Sequence, residues 1–340
     1  MNAPFQYGTL ATKENFVDRV EDRAQLKSFL SSHINVMLIS PRRWGKSSLV
    51  KVAMEELQNE DKDIRVCFID AFSIGSEAEF YRTFASQVIA CASTKLERRK
   101  QEKMDILRLP ETLAEAKNIK IIVCIDEFQQ LANLPDYKNM EGKMRSAWQQ
   151  QQHVTYCLYG SKRHMMMDIF NNANSPFYRF GQMLFLDKIA KTEWMPFIRE
   201  SFEKTGKHIS EAFASQVCDT VECHSWYLQQ LCYFIWNATA DEVTEQTFQY
   251  GLRQLVNTNS PMFLSDTETL APSQIEMLRA IKDGVQQLSS TEAKRSYALG
   301  NPNTISKNKK VLKDKDIIEE RKGKLVFVDP VCRLWFSKDY

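Results

Sequence analysis

The feature that most constrains this chain is a Gly-Lys-Ser step set between an apolar run and a helical pattern. Asn35 to Ser40 reads NVMLIS, Pro41-Arg42-Arg43-Trp44-Gly45-Lys46-Ser47-Ser48 follows, and Ser47 to Gln58 has helical periodicity. The spacing is that of G-x-x-x-x-G-K-[ST], with Ser40 standing where the first glycine belongs. A tight loop of this kind aims backbone N–H groups at phosphate oxygens, and the helix behind it adds the positive end of its dipole. Lys46 is expected to pair with β- and γ-phosphates and Ser47 to hold Mg²⁺. Serine fits the first position if its φ is negative. The bland alternative, an ordinary strand-to-helix turn, needs Gly-Lys-Ser-Ser in that context by accident.

A second signal corroborates the first. The apolar run Ile119 to Asp126 (IKIIVCID) ends in Asp126-Glu127. Asp126 at the tip of a buried strand can bind Mg²⁺ directly or through water, and Glu127 is placed to activate an attacking water. Such an ending is common by itself; together with the phosphate loop it favours hydrolysis over transfer to a small acceptor. The next run, Val154 to Gly160, ends in Ser161, which is either a sensor of bound triphosphate or the N-cap of the segment around Met165 to Phe170. Arg179, in the polar turn Asn174 to Arg179, is either a γ-phosphate-side arginine or a surface ion-pair partner.

With Ile64 to Asp70 and Gln182 to Leu186, the apolar runs alternate with helical patterns at Ser47–Gln58, Glu77–Lys103 and roughly 139–152. Runs buried on both faces suit a parallel sheet, so the first half reads as a doubly wound α/β domain. After about Ile189 strand-like runs stop, and 192–204, 210–222, 225–240 and 242–257 read as helices. Asn257 to Pro261 and Ser265 to Pro272 are polar and turn-rich, as a linker would be. Three helices near 273–283, 290–298 and 303–315, then two short strands around Arg321-Lys322-Gly323-Lys324, describe a winged helix. The expected architecture is thus an α/β P-loop NTPase core over 1–188, a helical lid domain over 189–268 and a C-terminal winged-helix domain over 269–340.

Composition bears on partners. Lys+Arg 45 against Asp+Glu 43 gives +2, which provides no global pull toward nucleic acid or an anionic membrane. Apolar runs fall far short of a membrane helix, and the start Met1-Asn2-Ala3-Pro4 lacks a secretory apolar segment, so a soluble, cytoplasmic protein is expected. The eight cysteines form no C-x-x-C units and look like reduced core thiols; Cys218, Cys223 and His224 match no common zinc spacing. Charge is local: Thr291 to Lys324 holds ten basic residues against five acidic, a net +5. Lys307, Lys310 and Asn303 share a helical face suited to a DNA groove, with Arg321 to Lys324 as the wing, although a charge run is usually a solvated face.

The chain resembles prokaryotic P-loop ATPases of the AAA+ and STAND assemblage, in the group related to archaeal ATPases and replication initiators. Phe16-Val17-Asp18-Arg19 with Glu21 is similar to an F-x-x-R-x-x-E element, and Pro41 to Ser47 to a P-R-R-x-G-K-[ST] loop. Gly160-Ser161 and Ser175-Pro176-Phe177-Tyr178-Arg179 resemble that group's sensor strand and S-P-x-Y-x-R element. Cys223 to Gln229 is similar to the lid motif G-x-P-x-x-L-Q, but lacks its glycine and proline. Val328 to Trp335 is similar to the group's winged-helix terminus. The resemblance implies an ATP/ADP switch in which lid and winged helix move against the core. It places Phe16, Val17 and Arg19 near the adenine, although Phe16 and Val17 also suit core packing, and it leaves DNA, a protein partner or a second copy of the chain open.

Overall fold

The computed structural model describes residues 3–11, 15–92 and 105–339. The expected helix over 77–103 is seen as far as residue 92; residues 93–103 lie outside the described residues. The chain divides into two compact units, one over Gly8–Ile189 and the other over the residues up to Tyr7 together with Ala190–Tyr340.

In the first unit the order is α1 (Val20–Ser31), β1 (Val36–Ile39), α2 (Lys46–Glu60), β2 (Ile64–Asp70), α3 (Glu77–Ala92), α4 (Leu109–Lys117), β3 (Lys120–Asp126), α5 (Tyr137–Trp148), β4 (Val154–Gly160), α6 (Arg163–Phe170) and β5 (Gln182–Phe185). The strands form a parallel sheet in the order β2-β3-β4-β1-β5. Alternation of side chains across the pleat divides each strand between two cores. Met37, Ile39, Ile121, Val123, Ile125 and Leu158 face a core completed by Phe80 and Phe84 of α3 and Met140 and Met144 of α5. Val36, Leu38, Ile122, Cys124 and Cys157 face the other, completed by Leu26 and Leu30 of α1 and Leu49 and Ala53 of α2. Burial on both faces is why these strands read as continuous apolar runs.

Parallel pairing brings every strand's carboxyl end to one edge. Register sets Ile39 beside Gly160 and Asp70 beside Asp126, so the loops after β1, β3 and β4 emerge together. Crevices at the carboxyl ends are where sheets of this class bind ligands.

The second unit holds α7 (Lys191–Glu203), α8 (Glu211–Thr220), α9 (Ser225–Ala238), α10 (Glu245–Glu268), α11 (Pro272–Lys282), α12 (Thr291–Ser296), α13 (Pro302–Asp314), the antiparallel pair β6 (Ile318–Arg321) and β7 (Lys324–Phe327), and α14 (Pro330–Asp339). Phe5 packs on Phe197 and Phe202, and Tyr7 on Trp226 and Tyr233, which places these N-terminal residues in this unit. Helices α11 to α13 followed by a two-stranded wing have the order expected of a winged helix. Lys322 and Gly323, at φ 49° and 76°, make the tight turn between the wing strands.

The expected linker is corrected. Asn257 to Pro261, read as a loop, lies inside the 24-residue α10, which runs to Glu268 with Pro261 in its interior. An internal proline costs a helix about 3 kcal/mol. Here tertiary packing offsets it: the indole of Trp335 on α14 donates to Ser260 Oγ at 2.8 Å, and Phe263 and Trp335 rings lie 5.7 Å apart. The Tyr227 hydroxyl of α9 also donates to the Asp329 carboxylate. The winged module is therefore docked on the helical one rather than tethered to it. Among the described residues no helix is long and apolar enough to cross a membrane.

Candidate functional site

The loop Ser40–Gly45 is built from its backbone outward. Ser40 is fully buried, its N–H donates to Gly160 O at 3.2 Å, and it stays out of the left-handed region. The positive φ values fall instead on Arg43 at 65° and Gly45 at 91°. Gly45 is the N-cap of α2 with no side-chain cap bond, which leaves the helix's first N–H groups at the carboxyl edge of the sheet. Missing its first glycine thus leaves the loop its shape, because the strained positions are elsewhere.

Five sequence-predicted residues converge there. Lys46 Nζ donates to Asp126 Oδ1 at 2.7 Å and to Glu127 Oε1 at 3.0 Å. Ser47 Oγ donates to Asp126 Oδ2 at 2.6 Å. Ser161 Oγ donates to Glu127 Oε2 at 2.8 Å. The side chain of Ser161 is therefore not a helix cap: the N-cap of α6 is Lys162. One residue that sequence reasoning missed joins them, Gln129, whose Nε2 donates to Glu127 Oε2 at 2.5 Å. The sequence offers two adjacent glutamines, Gln129 and Gln130, between Phe128 and Leu131, and nothing in it singles out Gln129.

Glu127 sits at φ 48°, a left-handed conformation that an L residue keeps only when its surroundings hold it. Burial by itself would raise its pKa. The Lys46 charge and the bonds from Gln129, Ser161 and Lys46 outweigh burial and hold the carboxyl below the ordinary glutamate range. A carboxylate so held is ionised at neutral pH, as a proton acceptor must be. Ser47 Oγ and the Asp126 carboxylate form a pair of hard oxygen donors of the kind Mg²⁺ takes.

The remaining residues surround this cluster or stand apart from it. Ser48 is buried, and its Oγ accepts from the Ala11 N–H at 2.9 Å. Arg19 is 5% exposed and donates to the Trp44 carbonyl at 3.1 Å, so it braces the loop from behind. Trp44 is half-buried with Lys188 Nζ 5.6 Å above its ring, while Pro41 is half-buried and Arg42 and Arg43 are exposed on the rim. Phe16 and Val17 are half-buried; Phe16 packs on the α1–α2 core and lines a pocket of about 370 Å³ with Arg23, Val52 and Glu56. That pocket does not include the Lys46 cluster.

Arg179 stands apart from the cluster. The sequence left it as an arginine on the γ-phosphate side of a site, its own chain's or a neighbour's, or as a surface ion-pair partner; in the fold it precedes β5, and β5 runs parallel to β1 with Gln182 beside Val36. Arg179 thus lies at the amino ends of the strands, across the sheet from the loop that follows β1. It is exposed, at φ 53°, with its guanidinium 5.1 Å from the Tyr178 ring centre.

A parallel sheet whose first carboxyl-end loop presents Gly-Lys-Ser to an Asp-Glu pair two strands away defines the P-loop NTPase fold. Residues 16–231 match the family described as an ATPase domain predominantly from Archaea, and the chain belongs to that family. Among solved structures it is similar to a Walker-type ATPase of Pyrococcus abyssi, at 18% identity over 98% of this chain and 99% of that one, TM-score 0.77. It is also similar to the ORC2 protein of Aeropyrum pernix solved as ADPNP–ADP complexes, at 13% identity over 98% of each chain, TM-score 0.67. The ORC1 protein of the same organism, solved in complex with DNA, matches at 11% identity over 96% of this chain and 94% of that one, TM-score 0.52. At these identities the likeness is one of fold. No curated protein sequence matches the chain significantly.

Proposed function

We propose that the chain is an ATP-hydrolysing switch of the AAA+/STAND type, with ATP·Mg²⁺ bound at Pro41–Ser48. One observation carries this reading: Lys46, Ser47, Asp126, Glu127 and Ser161, supplied from the ends of three strands, are linked by hydrogen bonds into one cluster. In the proposed reaction Lys46 leaves its carboxylate partners to meet the β- and γ-phosphates, and the α2 N-terminus receives the phosphate oxygens. Ser47 and Asp126 hold Mg²⁺, whose chemistry is to neutralise charge on the phosphate oxygens. Glu127, released from Lys46, accepts the proton of the attacking water, and Ser161 reports the γ-phosphate to the Glu127 side of the site. Arg19 keeps the loop in shape through Trp44 rather than touching the base.

The division into a core over 1–188, a lid over 189–268 and a winged helix over 269–340 supplies the moving parts. The packing of Trp335 on α10 favours lid and winged helix moving together. That the A. pernix ORC2 structure holds ADPNP and ADP supports nucleotide at this fold's loop. The test is calorimetry with ATP·Mg²⁺ alongside phosphate release. Glu127→Gln should retain ATP while turnover falls on the order of 10²- to 10⁴-fold; equal turnover in the variant removes Glu127 as the base.

A second reading, DNA contact through the winged module, is favoured by the exposure of Lys307, Lys310, Lys322 and Lys324 and by the DNA-bound ORC1 relative of the fold. It is weakened at Arg321, which is engaged by Glu222 at 3.2 Å and by Glu319.

A further inference from the structure

We propose that Gln129 is the residue that positions Glu127 for hydrolysis, and that position 160 is glycine so that Gln129 can reach it. The inference rests on the hydrolytic reading above and adds to it a residue that the motif itself does not contain.

The argument begins with cost. Gln129 is fully buried in the 3-10 turn Phe128–Asn133, between the buried Phe128 and the buried Leu131. Burying an amide is unfavourable unless its polar atoms are satisfied, and an apolar side chain there would pack without that cost. Yet Gln129 Oε1 finds no hydrogen-bond partner among the described residues, and Nε2 makes one bond, to Glu127 Oε2 at 2.5 Å. The side chain is thus spent on one carboxylate. Unexplained buried polar atoms of this kind call for a functional account.

Gly160 supplies the second, independent observation. A Cβ built at Gly160 would lie 1.9 Å from Gln129 Oε1 and 2.8 Å from Met166 Sδ. Any other residue at the end of β4 would push the Gln129 amide away from Glu127. Gly160 has no positive φ among the described backbone, so space rather than backbone freedom is what the position requires.

The three donors to Glu127 also differ in what nucleotide would do to them. Lys46 would turn to phosphate, and Ser161 is the candidate γ-phosphate sensor. Gln129 is enclosed behind Gly160, with no other acceptor in reach among the described residues. It therefore stays with Glu127 through the cycle and keeps the carboxylate in its left-handed backbone setting while the other two exchange partners. Such a bond fixes which oxygen faces the water.

The experiment compares Gln129→Met, which keeps the volume and removes the donor, with Gly160→Ala, which displaces the donor, and with the double variant Gln129→Ala/Gly160→Ala, in which the collision is absent. Each should bind ATP as the parent does, while kcat falls about 10- to 100-fold, the scale of one hydrogen bond to a charged group. KM for ATP should stay parental as kcat falls, a split that a merely structural loss would not give, and the double variant should be no worse than either single one. A Gln129→Met protein with parental kcat overturns the proposal, as does one that loses ATP affinity and kcat together. A parent that binds ATP without turnover defeats the hydrolytic reading separately; crystal structures of parent and Gln129→Met then decide Gln129, and a Glu127 carboxylate in the same place in both overturns its positioning role. Should Gln129→Met fail to fold, Gly160→Ala supplies the same readouts.

Discussion

Lys46 Nζ and Asp126 Oδ1 stand 2.7 Å apart although 80 residues separate them in the chain. The pair joins the start of α2 to the tip of β3 across β4, and Lys46 is nearly buried in making it, 6% exposed. A lysine that satisfies two adjacent carboxylates at once is a local counter-charge as well as a ligand group, and both roles can be tested.

Lys46→Ala should weaken ATP·Mg²⁺ binding by about 1.5 to 3 kcal/mol, the scale of one charge-assisted hydrogen bond. Isothermal calorimetry on the folded variant measures this. Unchanged affinity would mean that nucleotide is not held by this loop. The same substitution leaves Asp126 and Glu127 facing each other without a cation, so the pKa of Glu127 should rise in the variant.

The lowered pKa of Glu127 carries a stability consequence whose sign is fixed. Burial raises the value, Lys46 and the bonds from Gln129, Ser161 and Lys46 lower it by more, and the folded-state pKa ends below the unfolded one. The contribution to stability is therefore present above the ordinary glutamate pKa and is lost as pH falls through the lowered value. Glu141 works the other way: burial raises its pKa against the bonds from Ser175 and Tyr137. The measurement is accordingly a difference. Urea melts of parent and Glu127→Gln across the acidic range should converge as pH falls, and parallel curves would argue that Glu127 titrates normally.

Much of this site was legible in the sequence, and the exceptions have physical causes. The strands could be read because both faces are buried, and Gly-Lys-Ser with Asp-Glu located the cluster. Helix α4 was not among the expected helical patterns; in the structure Pro110 occupies its first turn, where its absent N–H costs nothing. The turn-like Asn257–Pro261 became helix because burial of Phe263 against Trp335 overrides local preference. For Arg179 the sequence left open whose site it serves, because spacing alone does not say which end of the sheet a residue beside a strand reaches. In a parallel sheet a residue that precedes a strand lies opposite the loops that follow its neighbours. Gln129 could not be found from spacing, since its role depends on the missing Cβ of Gly160, 31 residues on, in the neighbouring strand.

Because Arg179 is exposed at the amino edge of the sheet, any part it takes in hydrolysis must come through a second copy of the chain. Specific turnover should then rise with protein concentration, and Arg179→Ala should remove that rise, by up to the order of 10³-fold expected of an arginine supplied in trans. Concentration-independent turnover that the variant shares would leave Arg179 a surface residue.

Trp335 tests the docking of the winged module. It is 1% exposed, donates to Ser260 and packs on Phe263. Trp335→Ala should cost about 3 to 5 kcal/mol by the lost burial and the cavity left behind. A denaturant melt that splits into two transitions would report release of the winged module from α10. A single transition with unchanged midpoint would contradict the packing described.

The basic face of α13 and the wing decide between DNA contact and a module that serves only the ATPase. Lys307, Lys310, Lys322 and Lys324 are exposed and make no ion pair among the described residues, whereas Lys309 and Lys313 are engaged by Glu320 and Arg321 by Glu222. If those four lysines meet phosphates, log–log plots of duplex affinity against salt should have a slope between about −3 and −4, at about −0.9 per neutralised phosphate. Lys307→Glu with Lys310→Glu should then abolish duplex binding and leave ATP turnover without DNA unchanged, since neither lysine belongs to the Lys46 cluster. Absence of binding at low salt in the presence of ATP and of ADP would count against DNA. Charge reversals that alter ATP turnover instead would assign this face to control of the ATPase, which a chain of net charge only +2 makes the more economical use of a local +5.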